Sequence, residues 1–293
     1  MRTCFTLLLA LGVALPAWAQ PNTDVYLAPL IHTADSVQVG PLLNISNHNG
    51  YDNQPQFEPD SRSLLFTSDR TPPADIYRYI IDGKILTQVT KTEEAEYSPK
   101  PIPLTRDFAT IRVEADGTQR IWRFDEHGNS PTLEFPEEDS LGYYAWLDST
   151  YVLAFKLGDP PLLRQISLAG RRSLNRAHTI GRGFNVVPGK PQISYVLKRG
   201  EGWMVRYLQP HNGRDRRITY LPEGVEDFDW FPDGSGLIVG KDSTLHVWTE
   251  TLDTWKPVHT FDGITNITRV DVSPDGQWLA LVAEPATADP DQE

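Results

Sequence analysis

Nine side chains able to bind or polarise a ligand recur at related places along this 293-residue chain: Asp52, Asn53, Gln54, Glu96, Tyr143, Arg182, Glu226, Asp227 and Arg269. Each lies a few residues ahead of a turn-like segment, so a fold that gathers the turns would gather these groups as well. Carboxylates and amide oxygens are hard ligands, and Asp52, Asn53, Glu96, Asn185 and Asp227 together offer oxygens suited to calcium. Arg182 and Arg269 would compete for the same carboxylates. The simplest alternative is a hydrated channel lined by polar groups, since polar convergence alone is a weak site signal.

Other chemistries find little support. The seven histidines, at 32, 48, 127, 178, 211, 246 and 259, stand singly without the paired spacing of a zinc site. The one cysteine, Cys4, falls in the leader described below, so thiolate and disulfide chemistry are not expected. No Gly-x-Ser-x-Gly elbow occurs. Gly181-Arg182-Gly183 precedes a predicted strand rather than a helix, which is the wrong context for a phosphate cradle. A formal charge of −12 argues against nucleic acid, which needs a basic footprint. Arg171-Arg172 and Arg214-Asp215-Arg216-Arg217 read as protection of outer strand edges.

Residues 1–19 have the layout of a cleavable export signal: Arg2, an apolar stretch from Phe5 to Leu15, then Ala17-Trp18-Ala19 before the cut. A periplasmic or secreted protein is therefore expected, and no second apolar run is long enough to span a membrane. Residues 285–293 read as a disordered acidic tail.

The elements that position the polar groups come from a repeat. Matching corners are centred at Pro59, Pro103, Leu147, Pro188, Pro232 and Pro274, at intervals of 41 to 44 residues. Pro presets the corner, Asp bonds back to the backbone and Gly takes the left-handed position, as in Pro232-Asp233-Gly234 and Pro274-Asp275-Gly276. Apolar second strands follow (Leu64-Leu65-Phe66, Val152-Leu153-Ala154-Phe155, Leu279-Ala280-Leu281-Val282), then alternating third strands and polar outer ones. This pattern predicts an all-β, six-bladed β-propeller over residues 20–284. The last unit lacks its outer half, and residues 24–46 resemble the missing strands, so the N-terminal segment is expected to complete the last blade.

Tyr51-Asp52-Asn53-Gln54-Pro55-Gln56-Phe57-Glu58-Pro59-Asp60, with Leu64-Leu65-Phe66-Thr67-Ser68-Asp69-Arg70 and Asp75-Ile76-Tyr77-Arg78-Tyr79, resembles the WD40-like PD40 repeat of TolB-type propellers. The resemblance covers essentially the whole mature chain and implies a six-bladed propeller in the bacterial envelope or outside the cell. It carries no catalytic set. The function expected is a non-catalytic, exported and monomeric scaffold that binds a protein, peptide or small envelope ligand at the channel mouth, without cofactor. The alternative is a calcium-dependent, lactonase-like hydrolase that uses the mouth carboxylates.

Overall fold

The computed structural model describes residues 22–33, 36–169, 172–200 and 202–286. The expected export signal and residues 287–293 of the expected tail lie outside them. The described residues form twenty-five strands and no helix, so no helix among them is long and apolar enough to cross a membrane.

Six antiparallel sheets follow one another as blades of a ring. Blade one runs from its innermost strand Asp52–Phe57 through Ser63–Ser68 and Asp75–Ile80 to Ile85–Gln88 at the rim. The innermost strands of blades two to six are Ala95–Pro101, Leu141–Trp146, Ile180–Val186, Asp229–Trp230 and Ile264–Val272. Blade six is assembled from both ends of the chain. Its two inner strands are Ile264–Val272 and Trp278–Pro285, its third is Asp24–His32, and Val37–Val39 and Leu43–Asn44 pair outside that. Asp24 to Pro29 pair in register with Ala283 to Trp278. The last strand reaches Pro285, one residue past the boundary read from sequence, and Ala286 N–H bonds to the Gly263 carbonyl at 3.0 Å.

The apolar core is divided into six clusters, one between each pair of neighbouring blades. This is why the second strands are apolar on both faces. Leu64 packs toward blade six and Leu65 toward blade two; Val152 and Ala154 face blade two, and Leu153 faces blade four. Strand alternation thus feeds two cores at once.

One buried polar device recurs beside these cores. In blade six the Asp24 carboxylate accepts from Asn44 Nδ2 and Ser46 Oγ, both at 2.9 Å, while Val25 N–H donates to Ser46 Oγ. In blade one Asp75 accepts from Gln88 Nε2 at 2.7 Å and Thr90 Oγ1 at 3.1 Å, while Ile76 N–H donates to Thr90 Oγ1. In both blades the first residue of the third strand is thus clamped to the outer segment by the same three bonds.

Candidate functional site

Innermost strands have no ladder partner on the channel side, so their backbone N–H groups need acceptors from elsewhere. Carboxylates supply them across the blade boundaries. Asp227 and Asp229 of blade five accept Val270 N–H at 3.1 Å and Val272 N–H at 2.7 Å in blade six. Asp271 of blade six accepts Phe57 N–H of blade one at 2.7 Å. These groups stitch the channel wall and also give it charge.

Five of the six innermost strands carry a register shift: at Asn53/Gln56, Tyr97/Lys100, Leu141/Tyr143, Ile180/Phe184 and Thr265/Arg269. A bulge bends its strand and re-aims side chains. Here the bulges open one end of the channel into a mouth of about 540 Å³, where Asn53, Tyr143, Arg182, Glu226, Asp227 and Arg269 converge.

At the mouth Arg269 donates from Nε to Asn53 Oδ1 at 2.7 Å and from Nη1 to Asp227 Oδ2 at 3.1 Å. It thereby links blades one, five and six. Burial pushes the Asp227 carboxyl up from its ordinary range, with Arg269 opposing. Glu226 accepts Arg182 N–H at 2.7 Å and pairs with the Lys198 ammonium at 3.0 Å. Tyr143 lies under both guanidinium groups, 5.9 Å from Arg182 and 5.3 Å from Arg269.

Arg182 differs from Arg269. Its guanidinium has no hydrogen bond or ion pair among the described residues, and Tyr143 is its only ring contact. It sits inside the bulge between Ile180 and Phe184, flanked by Gly181 and Gly183. A Cβ on Gly183 would come within 2.7 Å of the Glu226 carbonyl oxygen, and one on Gly181 within 3.0 Å of Glu226 Oε1. The glycines let blade four approach blade five closely enough for the Arg182–Glu226 bond. Their value lies in that approach, which a search for phosphate cradles would miss.

Three of the nine sequence-read residues fall elsewhere. Asp52 is fully buried beside blade six, near Arg70 Nη2 (3.4 Å) and His48 Nδ1 (3.5 Å), and burial raises its pKa. Glu96 is fully buried beside blade one, where Oε1 accepts from Arg112 Nε at 3.0 Å and Thr92 Oγ1 at 2.5 Å. Burial pushes Glu96 up to about 7, and neighbouring Asp75 adds to the rise. Both precede their bulge, where side chains still point into the packed blade boundary instead of the channel. Gln54 lines the narrow neck, and its Oε1 ties Thr67 Oγ1 to Ser98 N–H, both at 2.9 Å. The five oxygen donors considered for calcium are thus not gathered, and among the described residues no three His, Cys, Asp or Glu side chains form a metal-holding group.

Residues the sequence reading passed over complete the channel. Tyr51, Lys241 and Asn266 line the mouth, and Lys100 and Asp271 line the neck beside Asn185. Lys100 Nζ bonds to the Gln56 side-chain oxygen. The opposite end opens as a second cavity of about 450 Å³.

Residues 217–249 and 255–283 match the family model of the WD domain, G-beta repeat, over well under half of the chain. Each match begins in the outer strand of one blade and continues into the next, so the sequence repeat is offset from the blade by one strand. No curated protein matches the chain in sequence. Among solved structures, a protein assigned as TolB from Agrobacterium tumefaciens aligns with a TM-score of 0.70 at 14% identity, over 91% of this chain and 100% of that one. A gluconolactonase, XC5397 from Xanthomonas campestris, aligns with 0.65 at 11% identity, over 93% and 99%. TolB from Acinetobacter baumannii aligns with 0.57 at 11% identity, over 88% of this chain and 63% of its own. Identities this low establish the fold and nothing finer.

Proposed function

We propose that this TolB-like six-bladed propeller is an exported, non-catalytic binding protein whose channel mouth takes a protein, peptide or small envelope ligand. One observation carries the reading. Glu226 and Asp227, the two carboxylates that converge with Tyr143, Arg182 and Arg269, are each already held by a cation and a backbone N–H, whereas the Arg182 guanidinium has no ion-pair partner among the described residues and stands over an open cavity. A guanidinium so placed offers five donors to an incoming carboxylate or carbonyl group. Arg269 acts in the wall: it shapes the mouth by holding Asn53 and Asp227.

The fold shared with a TolB and with a gluconolactonase is compatible with either scaffold or enzyme. The scaffold is favoured because Asp52 and Glu96, two of the four mouth carboxylates on which the hydrolase reading rested, face packed blade boundaries. Export rests on the pattern of residues 1–19, and the acidic charge disfavours nucleic acid.

The test compares the immobilised mature protein with its Arg182→Ala variant in capture from an envelope extract, alongside lactone and ester turnover. The expected result is a partner held by wild type and lost in the variant, with equal melting temperatures and no turnover. Turnover that disappears on substituting Asp227 would overturn the proposal.

A further inference from the structure

At the end of the channel opposite Arg182, the inner-strand corners form a rim. Five of the six repeat anchors line that cavity together: Pro59, Pro103, Pro188, Pro232 and Pro274. Trp146 and Trp230 stand in its wall, and Lys100, Asp229 and Asp271 in its floor. Its volume, about 450 Å³, suits a small molecule or one anchoring side chain, since such sites run from roughly 300 to 1,000 Å³.

The wall is rigid. Proline fixes its own φ and offers no N–H, so a rim of prolines presents fixed apolar surface that loses little freedom on binding. Trp230 is held by its indole N–H, which donates to Ser194 Oγ at 2.9 Å. Trp146 is 6% exposed, and its indole N–H has no acceptor among the described residues.

The floor has the opposite character. Asp229 accepts only backbone N–H groups, from Trp230 at 2.8 Å and Val272 at 2.7 Å. Asp271 accepts Phe57 N–H at 2.7 Å and Gln56 Nε2 at 3.2 Å. All four donors are neutral. Neither carboxyl makes an ion pair among the described residues, and the nearby Lys100 ammonium is bound to Gln56. An apolar, aromatic-walled cup therefore closes on two carboxyl groups whose hydrogen-bond donors are all neutral.

We propose that this second mouth binds an aromatic or branched apolar group bearing a primary ammonium, such as a hydrophobic amine or the N-terminus of a chain. The apolar body packs against the prolines and tryptophans, and the ammonium reaches Asp229 and Asp271, whose oxygens each keep a free lone pair. Burial supports the same assignment. It pushes Asp229 up to about 7 and Asp271 well above the carboxylate range, so these groups hold protons that an arriving cation displaces. The other charged groups facing them are Lys100 and Asp227, with Arg269 beyond Asp227. Affinity for the amine accordingly rises with pH through neutrality. This site is separate from the Arg182 mouth.

Calorimetric titration of the mature protein with tryptamine, indole-3-propionate, and Trp-Ala-Ala with a free or acetylated N-terminus tests the inference. An amine-bearing probe should bind at least about tenfold more tightly than its uncharged or acidic counterpart, and about tenfold more weakly near pH 5.5 than near pH 8. Whichever amine binds more tightly, tryptamine or the tripeptide, identifies a free amine or a chain terminus as the natural form. Asp271→Asn should remove the preference for the amine while keeping an acceptor for Phe57 N–H. Val186→Lys, on a lining residue 39% exposed, should weaken amine binding without touching the packed wall. Arg182→Ala should leave it unchanged. No heat with either amine, equal affinity for amine and acid, or amine binding indifferent to Val186→Lys would overturn the assignment.

Discussion

The Asp271 carboxylate of the last blade accepts the backbone N–H of Phe57 in the first blade at 2.7 Å. Asp229 and Val272 repeat the relation one blade earlier, again at 2.7 Å. Removing such an acceptor leaves a buried N–H unsatisfied, at a cost of about 1–3 kcal/mol. Asp229→Ala should lower stability by that amount in urea unfolding at pH 6. Asp229→Asn, which keeps an oxygen, should cost much less. Equal losses in the two variants would show that the carboxylate does not act as the acceptor.

Closure of the ring rests on the strand Asp24–His32. Leu27 is 2% exposed and packs in the boundary between blades six and one. Leu27→Ala should cost about 2–5 kcal/mol, as buried Leu-to-Ala changes do. Deleting residues 24–46 should abolish cooperative unfolding, because it exposes the length of Trp278–Pro285 as an open edge. A sharp calorimetric transition in the deletion variant would contradict this role.

Glu96 gives the protein a distinctive pH dependence. Its pKa rises from 4.5 to about 7 on folding, so the folded state binds the proton more tightly than the unfolded chain. Stability from this group is present at low pH and is lost as pH rises through the window between those values. Asp229, raised from 3.8 to about 7, acts in the same direction. Melting temperature should therefore fall between pH 5 and pH 8. Glu96→Gln should flatten the profile and raise stability at pH 8 relative to wild type, by on the order of a few kcal/mol. Thermal melts across that range, recorded for both proteins, decide the point.

The Gly181-Arg182-Gly183 bulge predicts a separation of two roles. Gly183→Ala drives a Cβ against the Glu226 carbonyl, so it should lower both stability and ligand capture. Arg182→Ala removes only the exposed guanidinium and should lower capture alone. Differential scanning calorimetry beside the capture assay reads both effects.

The architecture was legible because a Pro-Asp-Gly corner and a doubly apolar second strand each have a direct physical cause. The Asp24–Leu30 segment could be assigned to the last blade simply because a third strand was missing there. Six of the nine candidate residues reach the mouth: Asn53, Tyr143, Arg182 and Arg269 because their offset from the corner places them at a bulge, and Glu226 and Asp227 because they lie just ahead of the short innermost strand of blade five. Asp52 and Glu96 share that rough offset but lie before the register shift, and the difference is set by backbone twist. Its markers are Gln54 and Ser98, with φ of 59° and 53°. Neither is glycine, so nothing in the residue types announces a left-handed conformation. The proline corners were readable as turns, but their assembly into one cavity depends on ring closure, which no local pattern encodes.

The pairing of Leu27 with Ala280 joins the first strand of the chain to the last. A polypeptide emerging from its N-terminus presents Asp24–His32 before any partner exists, and five blades can stack before the sixth is possible. The contact that completes the ring thus has nearly the largest sequence separation the chain allows, and closing so long a loop slows folding. Until Trp278–Pro285 has been made, Asp24–His32 lacks the strand it pairs with on its inner side. The seam that closes the propeller can therefore form only once synthesis has reached Trp278–Pro285.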